Sequence, residues 1–339
     1  MSTQERIHGG PDALGAPLYD FSTNSNACGP CPQALAAVQA ADATRYPDAG
    51  YTALHAALAA FHAVEPWRIV LAGSASEFIF RITAWVRLSG GQTVHLPPHA
   101  YGDYAHAAQA WGLTMLSDSQ AEPGVRRDAL MDAADLIWAC EPSSPLGQAH
   151  AQWPVDLVRA PVVLDCAYAP LRLSGVASLS AAQRDAVWQL FSPNKSLGLT
   201  GVRAAYAIAP LGAEAGVQSV NALAPSWVVG AHGMAMLMAW TQPDVQSWLA
   251  HSLETLRQWK ARQIEQLAAL GWTCLPSEAN YFCARPPEGV EAGDLYPALR
   301  TQGIKLRDAT SFGLPGWVRL GVLSPLAQDA LFATLEPSA

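Results

Sequence analysis

The segment Ser192-Pro193-Asn194-Lys195-Ser196-Leu197-Gly198-Leu199-Thr200-Gly201-Val202-Arg203 joins two apolar runs that read as buried strands, Trp188–Phe191 and Arg203–Ile208. A lysine in a glycine-rich loop is normally solvated, but few other charges lie near Lys195 in the sequence. A desolvated lysine is a good nucleophile toward a carbonyl carbon. Ser192 and Arg203 can add a hydroxyl and a forked cation to a phosphate site. The segment therefore predicts a reactive amine beside an anion site.

Strands and helices alternate on the amino-terminal side of this loop. Helical or loop segments separate the apolar runs, which is typical of an α/β domain with a mainly parallel sheet. The predicted strands are Ile69–Gly73, Thr93–Leu96, Leu113–Leu116, Leu136–Cys140, Val162–Asp165, Trp188–Phe191 and Arg203–Ile208.

The pattern changes after about residue 225. Two helical stretches, Ser226–Trp240 and Val245–Leu270, precede shorter strands at Tyr281–Ala284 and Trp317–Leu320. This order predicts a second, smaller α+β domain that the amino-terminal segment joins. We therefore expect residues 40–225 to form the large domain, and residues 1–39 together with 226–339 to form the small one.

The turn Gly73-Ser74-Ala75-Ser76-Glu77 joins a predicted strand to a predicted helix. Ser74 followed by Glu77 three residues later is the pattern of a capping box. A helix amino terminus presents N–H groups and the positive end of the helix dipole, which suit a phosphate. Taken alone the signal is weak, because most capped helices bind nothing.

Two charged residues stand within otherwise apolar strands. Asp165 ends the run Val162–Leu164; such a carboxylate is usually a satisfied turn residue, but it can also pair with a protonated pyridine nitrogen. Arg319 lies within Gly316-Trp317-Val318-Arg319-Leu320-Gly321. It either faces outward from its strand or forms a bidentate clamp on a substrate carboxylate or phosphate.

Length, charge and cysteine content exclude several classes of protein. The chain has 339 residues, half of them hydrophobic, which suffices for a large core and more than one domain. Its net charge is −8 and no cluster of Lys or Arg stands out, so nucleic acid and membrane surfaces are poor partners. No apolar run approaches the roughly 18 residues that span a bilayer, and the first ten residues lack a signal core. We expect a cytoplasmic enzyme.

The motif Cys28-Gly29-Pro30-Cys31 has the spacing of thioredoxin-like redox proteins. That chemistry needs a buried strand before the motif and a helix after it, because the helix end lowers a thiol pKa. Here a polar stretch, residues 22–27, precedes the motif and looks like a loop. The alternative interpretation is a Gly-Pro turn that enters a helix, with proline in the first helical turn.

In their order and spacing, these residues resemble the fold-type I pyridoxal-phosphate enzymes over nearly the whole chain. The most similar branch contains histidinol-phosphate aminotransferase and the threonine-phosphate decarboxylase of cobalamin synthesis. Ser-x-x-Lys followed eight residues later by Arg is the most specific element, and 203 − 195 = 8 satisfies it. The resemblance implies the aspartate aminotransferase fold and pyridoxal 5′-phosphate as the cofactor. It implies Lys195 as the residue that forms the Schiff base and moves protons.

The resemblance also implies roles for further residues and no metal. For the cofactor these are Ser74, Ala75, Ser192 and Arg203 at its phosphate, Asp165 at the pyridine nitrogen, Tyr168 at the ring hydroxyl, and Tyr101 stacked on the ring. For a small amine or amino-acid substrate they are His8, Asn24, Asn280 and Arg319. Tyr46, within Arg45-Tyr46-Pro47-Asp48, matches a tyrosine that reaches the cofactor phosphate of the partner subunit, which implies a homodimer with shared sites.

One position departs from the family pattern. The family usually has Asn-Pro-x-Gly where this chain has Ser144-Pro145-Leu146-Gly147. The asparagine normally donates to the ring oxygen of the cofactor, and Ser144 has a single hydroxyl with a shorter reach. Either Ser144 substitutes for the amide or Tyr168 carries this role alone. The departure puts ordinary aminotransferase efficiency in question.

Four hypotheses of function follow. The first is an aminotransferase acting on a phosphorylated or carboxylate-bearing amine, similar to histidinol phosphate. The second is a threonine-phosphate decarboxylase, which His8-Gly9-Gly10 and the stretch 311–316 favour. The third is a redox protein that uses Cys28 and Cys31, and the fourth is a cofactor-binding protein with little catalysis. A nicotinamide enzyme is disfavoured, because no G-x-G-x-x-G follows a strand.

Overall fold

The computed structural model describes residues 8–117, 127–290 and 292–335. The first seven and last four residues, which the sequence assigned to the smaller domain, lie outside the described residues. Within the described ranges, no helix is both long and apolar enough to cross a membrane. The strands are β1 Tyr19–Asp20, β2 Ile69–Ala72, β3 Thr93–Leu96, β4 Thr114–Ser117, β5 Leu136–Cys140, β6 Val162–Asp165, β7 Trp188–Phe191, β8 Ala205–Ile208, β9 Thr273–Cys274, β10 Tyr281–Arg285, β11 Ile304–Lys305, β12 Arg307–Asp308 and β13 Val318–Gly321. The helices are α1 Pro32–Gln39, α2 Thr52–His62, α3 Ala75–Leu88, α4 Gly102–Trp111, α5 Arg127–Asp132, α6 Ala181–Arg184, α7 Glu214–Ala222, α8 Ala231–Trp240, α9 Pro243–Ala269, α10 Ala292–Thr301 and α11 Pro325–Leu335.

The larger sheet has seven strands in the order β2-β8-β7-β6-β5-β3-β4. All neighbours pair in parallel except β8, which is antiparallel to both β2 and β7. Its central strands are buried along their whole length, because helices cover both faces of the sheet. The mainly parallel α/β sheet predicted from the sequence is confirmed.

A second, antiparallel sheet has the order β12-β13-β10-β9. Helix α9 packs against β9 and α11. Near the amino terminus, β1 pairs in parallel with β11. The strands predicted near Tyr281 and Trp317 therefore exist, as β10 and β13. The exact division of the chain at residues 39/40 and 225/226 stays a prediction.

Several local predictions were inexact, among them the strand predicted from Arg203, which begins at Ala205. The strand predicted at Leu113 begins one residue later, because the Leu113 N–H still donates to Ala108 O at the end of α4. The helix predicted from Ser226 begins at Ala231, and the residues before it form turns. At the start of α3, the Ser74 hydroxyl accepts from Glu77 N, but the Glu77 carboxylate accepts from Gly73 N. The predicted capping box is therefore only half formed.

A partly buried histidine packs against the large sheet, outside the cavity described below. His62 Nε2 lies 2.8 Å from the hydroxyl of Tyr206, which also accepts from Trp240 Nε1. Burial lowers the pKa of His62 from 6.5 to about 4. Between these values the unfolded chain binds a proton that the folded chain does not, so this group loses its stabilising contribution as the pH falls through the window.

We therefore expect a pH-dependent difference between the wild type and His62→Phe. Their difference in free energy of unfolding should shrink by on the order of 1 kcal/mol between pH 7 and pH 4, because only the wild type must protonate a buried imidazole. Urea unfolding at several pH values measures this difference. A difference that does not vary with pH would show that His62 titrates normally in the folded protein.

An ion triad connects the two sheets. Arg172 Nη2 donates to Glu141 Oε1 at 2.6 Å, and its Nη1 donates to Glu278. Glu141 follows β5, whereas Glu278 lies shortly before β10. The Ser178 N–H and hydroxyl complete the shell of Glu141. The Arg172 side chain is only 13% exposed, and it compensates the buried carboxylate of Glu141 and the partly exposed carboxylate of Glu278.

Replacement of Arg172 by methionine is expected to lower the free energy of unfolding by about 3 kcal/mol, because it leaves buried charges unpaired. Arg262→Met is the matched control. Arg262 pairs with Asp329, and their side chains are 32% and 60% exposed. An exposed pair contributes less than about 1 kcal/mol. Equal losses in the two variants, measured by urea unfolding, would mean that the triad does not hold the sheets together.

Candidate functional site

A cavity of about 580 Å³ lies at the carboxyl edge of the larger sheet. The parallel strands β2, β3, β5, β6 and β7 all end at this edge. Because β8 runs in the opposite direction, it begins there, which brings Arg203 beside the ends of the other strands. The carboxyl edge is where open α/β sheets bind their ligands.

Twelve of the fourteen residues predicted for the site line this cavity. They are His8, Asn24, Ser74, Ala75, Tyr101, Ser144, Asp165, Tyr168, Ser192, Lys195, Arg203 and Arg319. Tyr46 and Asn280 do not line it. The structure therefore brings together residues that lie more than 300 positions apart in the chain.

The loop that carries Lys195 is fixed by the turn at residues 26–31. Asn26 N donates to Lys195 O at 2.9 Å, and Cys31 N donates to Leu197 O at 2.8 Å. The two backbones approach so closely that a Cβ on Gly29 would lie 3.0 Å from Gly198 Cα. Glycine is therefore favoured at the turn, whose backbone hydrogen bonds fix the backbone of the loop at Lys195.

Cys28 and Cys31 belong to this supporting turn. Burial raises the pKa of Cys28 to about 11 and also raises the pKa of Cys31. A reactive thiol needs a lowered pKa. Cys31 directly precedes α1, whose first residue is Pro32, as the Gly-Pro turn interpretation predicted. The environment of the two thiols is thus opposite to that of a redox motif.

Lys195 is one of only three lysines in the chain. Lys260 donates to the carbonyls of Ser277 and Ala279 behind the cavity wall. Lys305 binds the carboxylate of Asp12. Of the three, Lys195 lines the cavity, with its Nζ 5.4 Å from the ring centroid of Tyr168.

Asp165 is buried at the end of β6 and is 5% exposed. Its Oδ2 accepts from the hydroxyl of Tyr104 at 2.7 Å, and its Oδ1 accepts from Ala167 N. Burial raises the pKa of Asp165, and these donors together with Lys195 oppose the rise. A cation that faced this carboxylate would favour its ionised form.

Tyr104, which was not among the residues predicted from the sequence, also belongs to this site. Its ring is fully buried and stacks on Trp138, with centroids 4.4 Å apart and planes 9° apart. It lies three residues after Tyr101, which directly precedes α4, and the centroids of the two rings are 5.8 Å apart. This spacing was the available signal, but the spacing alone does not show that the hydroxyl reaches Asp165.

The amino terminus of α3 and the loop of Lys195 both line the cavity. Ser74 caps α3, so the first N–H groups of a 14-residue helix face the cavity together with Ala75. Opposite them, the Ser192 hydroxyl is buried and has no hydrogen-bond partner among the described residues. Arg203 lies at the same edge. A helix amino terminus, an unpaired hydroxyl and a guanidinium together suit a phosphate.

Arg319 projects from β13 into the cavity and is 7% exposed. Its Nη1 donates to the Ser144 hydroxyl at 3.1 Å, and its Nη2 donates to Ser22 O at 2.9 Å. Its Nε has no partner among the described residues. Ser144 is thus close enough to orient the arginine. The predicted inward position of Arg319, rather than an outward-facing one, is what the structure shows.

A second arginine, absent from the sequence-based prediction, enters the cavity. Arg307 and Arg319 are directly paired in register across β12 and β13, so their side chains emerge on the same face. Both lie against the ring of Phe312, at 4.8 and 5.5 Å from its centroid. Burial, and then Arg319, lower the pKa of Arg307 to about 10, so it stays charged at neutral pH.

Three other predicted residues have distinct surroundings. Asn24 is 2% exposed, and neither atom of its side-chain amide has a partner among the described residues. Asn280 lies behind the wall instead, where its Nδ2 donates to Ser25 O at 3.0 Å and supports the neighbouring Asn24. Tyr46 is 76% exposed and stacks on Trp227, away from this chain's own cavity.

Comparisons with known proteins agree with this geometry. The family model for aminotransferase class I and II matches residues 16–332. Histidinol-phosphate aminotransferase 2 of Ralstonia nicotianae is 30% identical over 343 residues, which is 95% of this chain and 88% of the relative. The histidinol-phosphate aminotransferase of Sinorhizobium meliloti, solved in complex with pyridoxal 5′-phosphate, superimposes with a TM-score of 0.78 at 20% identity over 98% of this chain and 94% of its own. The L-threonine-O-3-phosphate decarboxylase of Porphyromonas gingivalis gives 0.68 at 20% identity, over 89% and 91% of the two chains.

Proposed function

Because the chain belongs to the aminotransferase class I and II family, we propose that it transfers the amino group of a small phosphorylated amine, with histidinol phosphate as the first candidate. The chain is an aminotransferase whose cofactor is pyridoxal 5′-phosphate. The observation that carries the choice of substrate is the pair Arg307 and Arg319, in register on one face and both lining the cavity of Lys195. Two buried guanidinium groups favour a substrate with a strongly anionic end.

The residues of the cavity fit the cofactor. The amino terminus of α3, the unpaired Ser192 hydroxyl and Arg203 would hold its phosphate. Asp165 would face the pyridine nitrogen, while Tyr101 and Tyr168 would contact the ring and its hydroxyl. The Ser144 hydroxyl oxygen already accepts a hydrogen bond from Arg319 Nη1. We therefore assign the ring hydroxyl to Tyr168.

When bound, the cofactor stabilises the negative charge that develops on the substrate carbon as a proton leaves it. Lys195 would take up that proton at its Nζ and later give it back, because Lys195 is the lysine that lines the cavity. The Asp165 carboxylate would keep the pyridine nitrogen of the cofactor protonated, because a negative charge favours the positively charged form of the group it faces. Arg307 and Arg319 orient the anionic end of the amine, and Asn24 supplies donors and an acceptor that have no other partner.

We also propose a homodimer that shares its sites. Tyr46 and Trp227 form an exposed aromatic pair with ring centroids 4.4 Å apart. The two side chains are 76% and 44% exposed, so the pair offers apolar surface that a second copy would cover. In such a dimer, Tyr46 is free to contribute to the partner's cavity, because it lies outside its own.

A second candidate reaction is decarboxylation of threonine phosphate. His8 and the stretch around Phe312, which favoured this reading of the sequence, both line the cavity. Two arginines can also hold a phosphate and a carboxylate of one substrate. Decarboxylation requires no keto acid, so the two reactions differ in what they consume.

The deciding experiment supplies purified enzyme and cofactor with histidinol phosphate and a 2-keto acid, and follows amino acid formation. Histidinol without its phosphate is the matched control. We expect transfer that depends on the keto acid and a KM at least about 100-fold higher for the control, because two charge-assisted contacts are lost. Release of carbon dioxide from threonine phosphate without a keto acid, with no transfer from histidinol phosphate, would contradict the proposal.

A further inference from the structure

The amino-terminal arm, defined as residues 8–18, forms one wall of the cavity. His8 and Gly9 line it, and the His8 ring centroid is 6.4 Å from that of Tyr101. The arm packs closely against the backbone of Ser22, so that a Cβ on Gly9 would be 2.2 Å from Ser22 O. The Gly10 N–H donates to the Ser22 hydroxyl at 2.8 Å. The wall therefore depends on where the arm is held.

Apolar burial does not hold this arm. Its two leucines, Leu14 and Leu18, are 75% and 73% exposed. Its only regular feature among the described residues is an isolated bridge between Asp12 and Gly15. A segment with so little buried apolar surface has low local stability unless polar contacts fix it.

Two cations provide those polar contacts. Arg300 donates to Asp12 from Nη2 at 2.8 Å and from Nε at 3.1 Å, and Lys305 Nζ lies 2.9 Å from the same carboxylate. The same cations bind the backbone of the arm on either side. Lys305 Nζ donates to Gly10 O at 2.7 Å, and Arg300 Nη2 donates to Gly15 O at 2.8 Å. Such a network contributes more than an isolated surface ion pair.

We propose that Asp12 is a positioning residue for substrate binding, because its ion pairs with Arg300 and Lys305 keep His8 and Gly9 in the cavity wall. Asp12 itself does not line the cavity. The inference rests on the proposed function, in that the substrate enters this cavity. If the arm detaches, the cavity loses the wall formed by His8 and Gly9, but Lys195 and Asp165 stay in place. Loss of the clamp is therefore expected to raise KM rather than to lower kcat.

The first test needs no activity. Hydrogen exchange of the Gly10 amide reports whether the arm is docked, because that N–H donates to Ser22 and not to Asp12. In the full-length, cofactor-bound protein, Asp12→Asn is expected to exchange this amide about tenfold faster than wild type. Asp329→Asn, which breaks an exposed pair with Arg262, is the control and leaves the rate unchanged. An unchanged rate in Asp12→Asn would show that the clamp does not hold the arm.

The second test is kinetic, with the amine substrate proposed above. Asp12→Asn is expected to raise KM about tenfold with kcat within about twofold, as when the binding-competent state falls to a tenth of the population. Asp12→Glu restores part of the loss. The KM of the wild type rises more steeply with salt than that of Asp12→Asn, because salt screens the clamp. Faster exchange with an unchanged KM would overturn the positioning role. Absence of turnover in the wild type would count against the proposed function alone, since the exchange result stands without it.

Discussion

Replacement of Lys195 by alanine is expected to lower kcat by about 10⁴-fold or more, because both the covalent link to the cofactor and the proton carrier are lost. Steady-state amino transfer with saturating cofactor measures this. We expect the cofactor still to bind to the variant, since the contacts proposed for its phosphate come from α3, Ser192 and Arg203. The visible spectrum should then be that of free rather than lysine-linked cofactor.

Lys195→Arg is the control for charge. Arginine keeps a cation of similar length, but its guanidinium stays protonated and neither forms the link nor accepts a proton. We therefore expect the same loss as for alanine. Substantial activity in Lys195→Arg would mean that the loop supplies only a positive charge, and would contradict the role proposed for the lysine.

Replacement of Asp165 by asparagine is expected to lower kcat by about 10²- to 10³-fold, the usual cost of removing one preorganised electrostatic contact in a buried site. The change keeps the size of a side chain that is only 5% exposed and removes its charge. The cofactor should remain bound, because the contacts proposed for its phosphate come from other residues, Ser74, Ala75, Ser192 and Arg203. Kinetics of amino transfer together with a cofactor titration separate the two effects.

Tyr104→Phe provides a graded comparison with Asp165→Asn. It retains the ring that stacks on Trp138 and removes only the hydroxyl that donates to Asp165 at 2.7 Å. Loss of one hydrogen bond to a charged group should lower kcat by about tenfold. An Asp165→Asn enzyme less impaired than Tyr104→Phe would show that the carboxylate does not act as proposed.

Much of the fold could be predicted because its strands are short apolar runs with polar residues at their ends. In a parallel sheet those ends meet at one edge, so residues that follow different strands, such as Ser74, Asp165 and Ser192, could be assigned to one site. The lysine loop was recognisable from its spacing to Arg203. The strands and the site residues could be predicted from the order of apolar and polar residues and from the direction of the strands.

The parts that were missed depend on register and on long-range contacts. The pairing of Arg307 with Arg319 could not be predicted from the sequence, because their strands are short and packing sets the register between them. The bond from Tyr104 to Asp165 joins residues 61 positions apart. The clamp on Asp12 involves cations almost 300 positions away. The helix predicted to begin at Ser226 begins at Ala231 instead. The residues before Ala231 are mostly apolar, but they form turns.

Borohydride reduction of the cofactor-bound enzyme, followed by tryptic digestion and mass spectrometry, tests most directly whether Lys195 carries the cofactor. The chain has only three lysines, Lys195, Lys260 and Lys305, and they lie in different tryptic peptides. We expect the reduced adduct on Lys195, in the peptide of residues 185–203, because trypsin does not cut at a modified lysine. An adduct on Lys260 or Lys305, or none at all, would contradict the assignment.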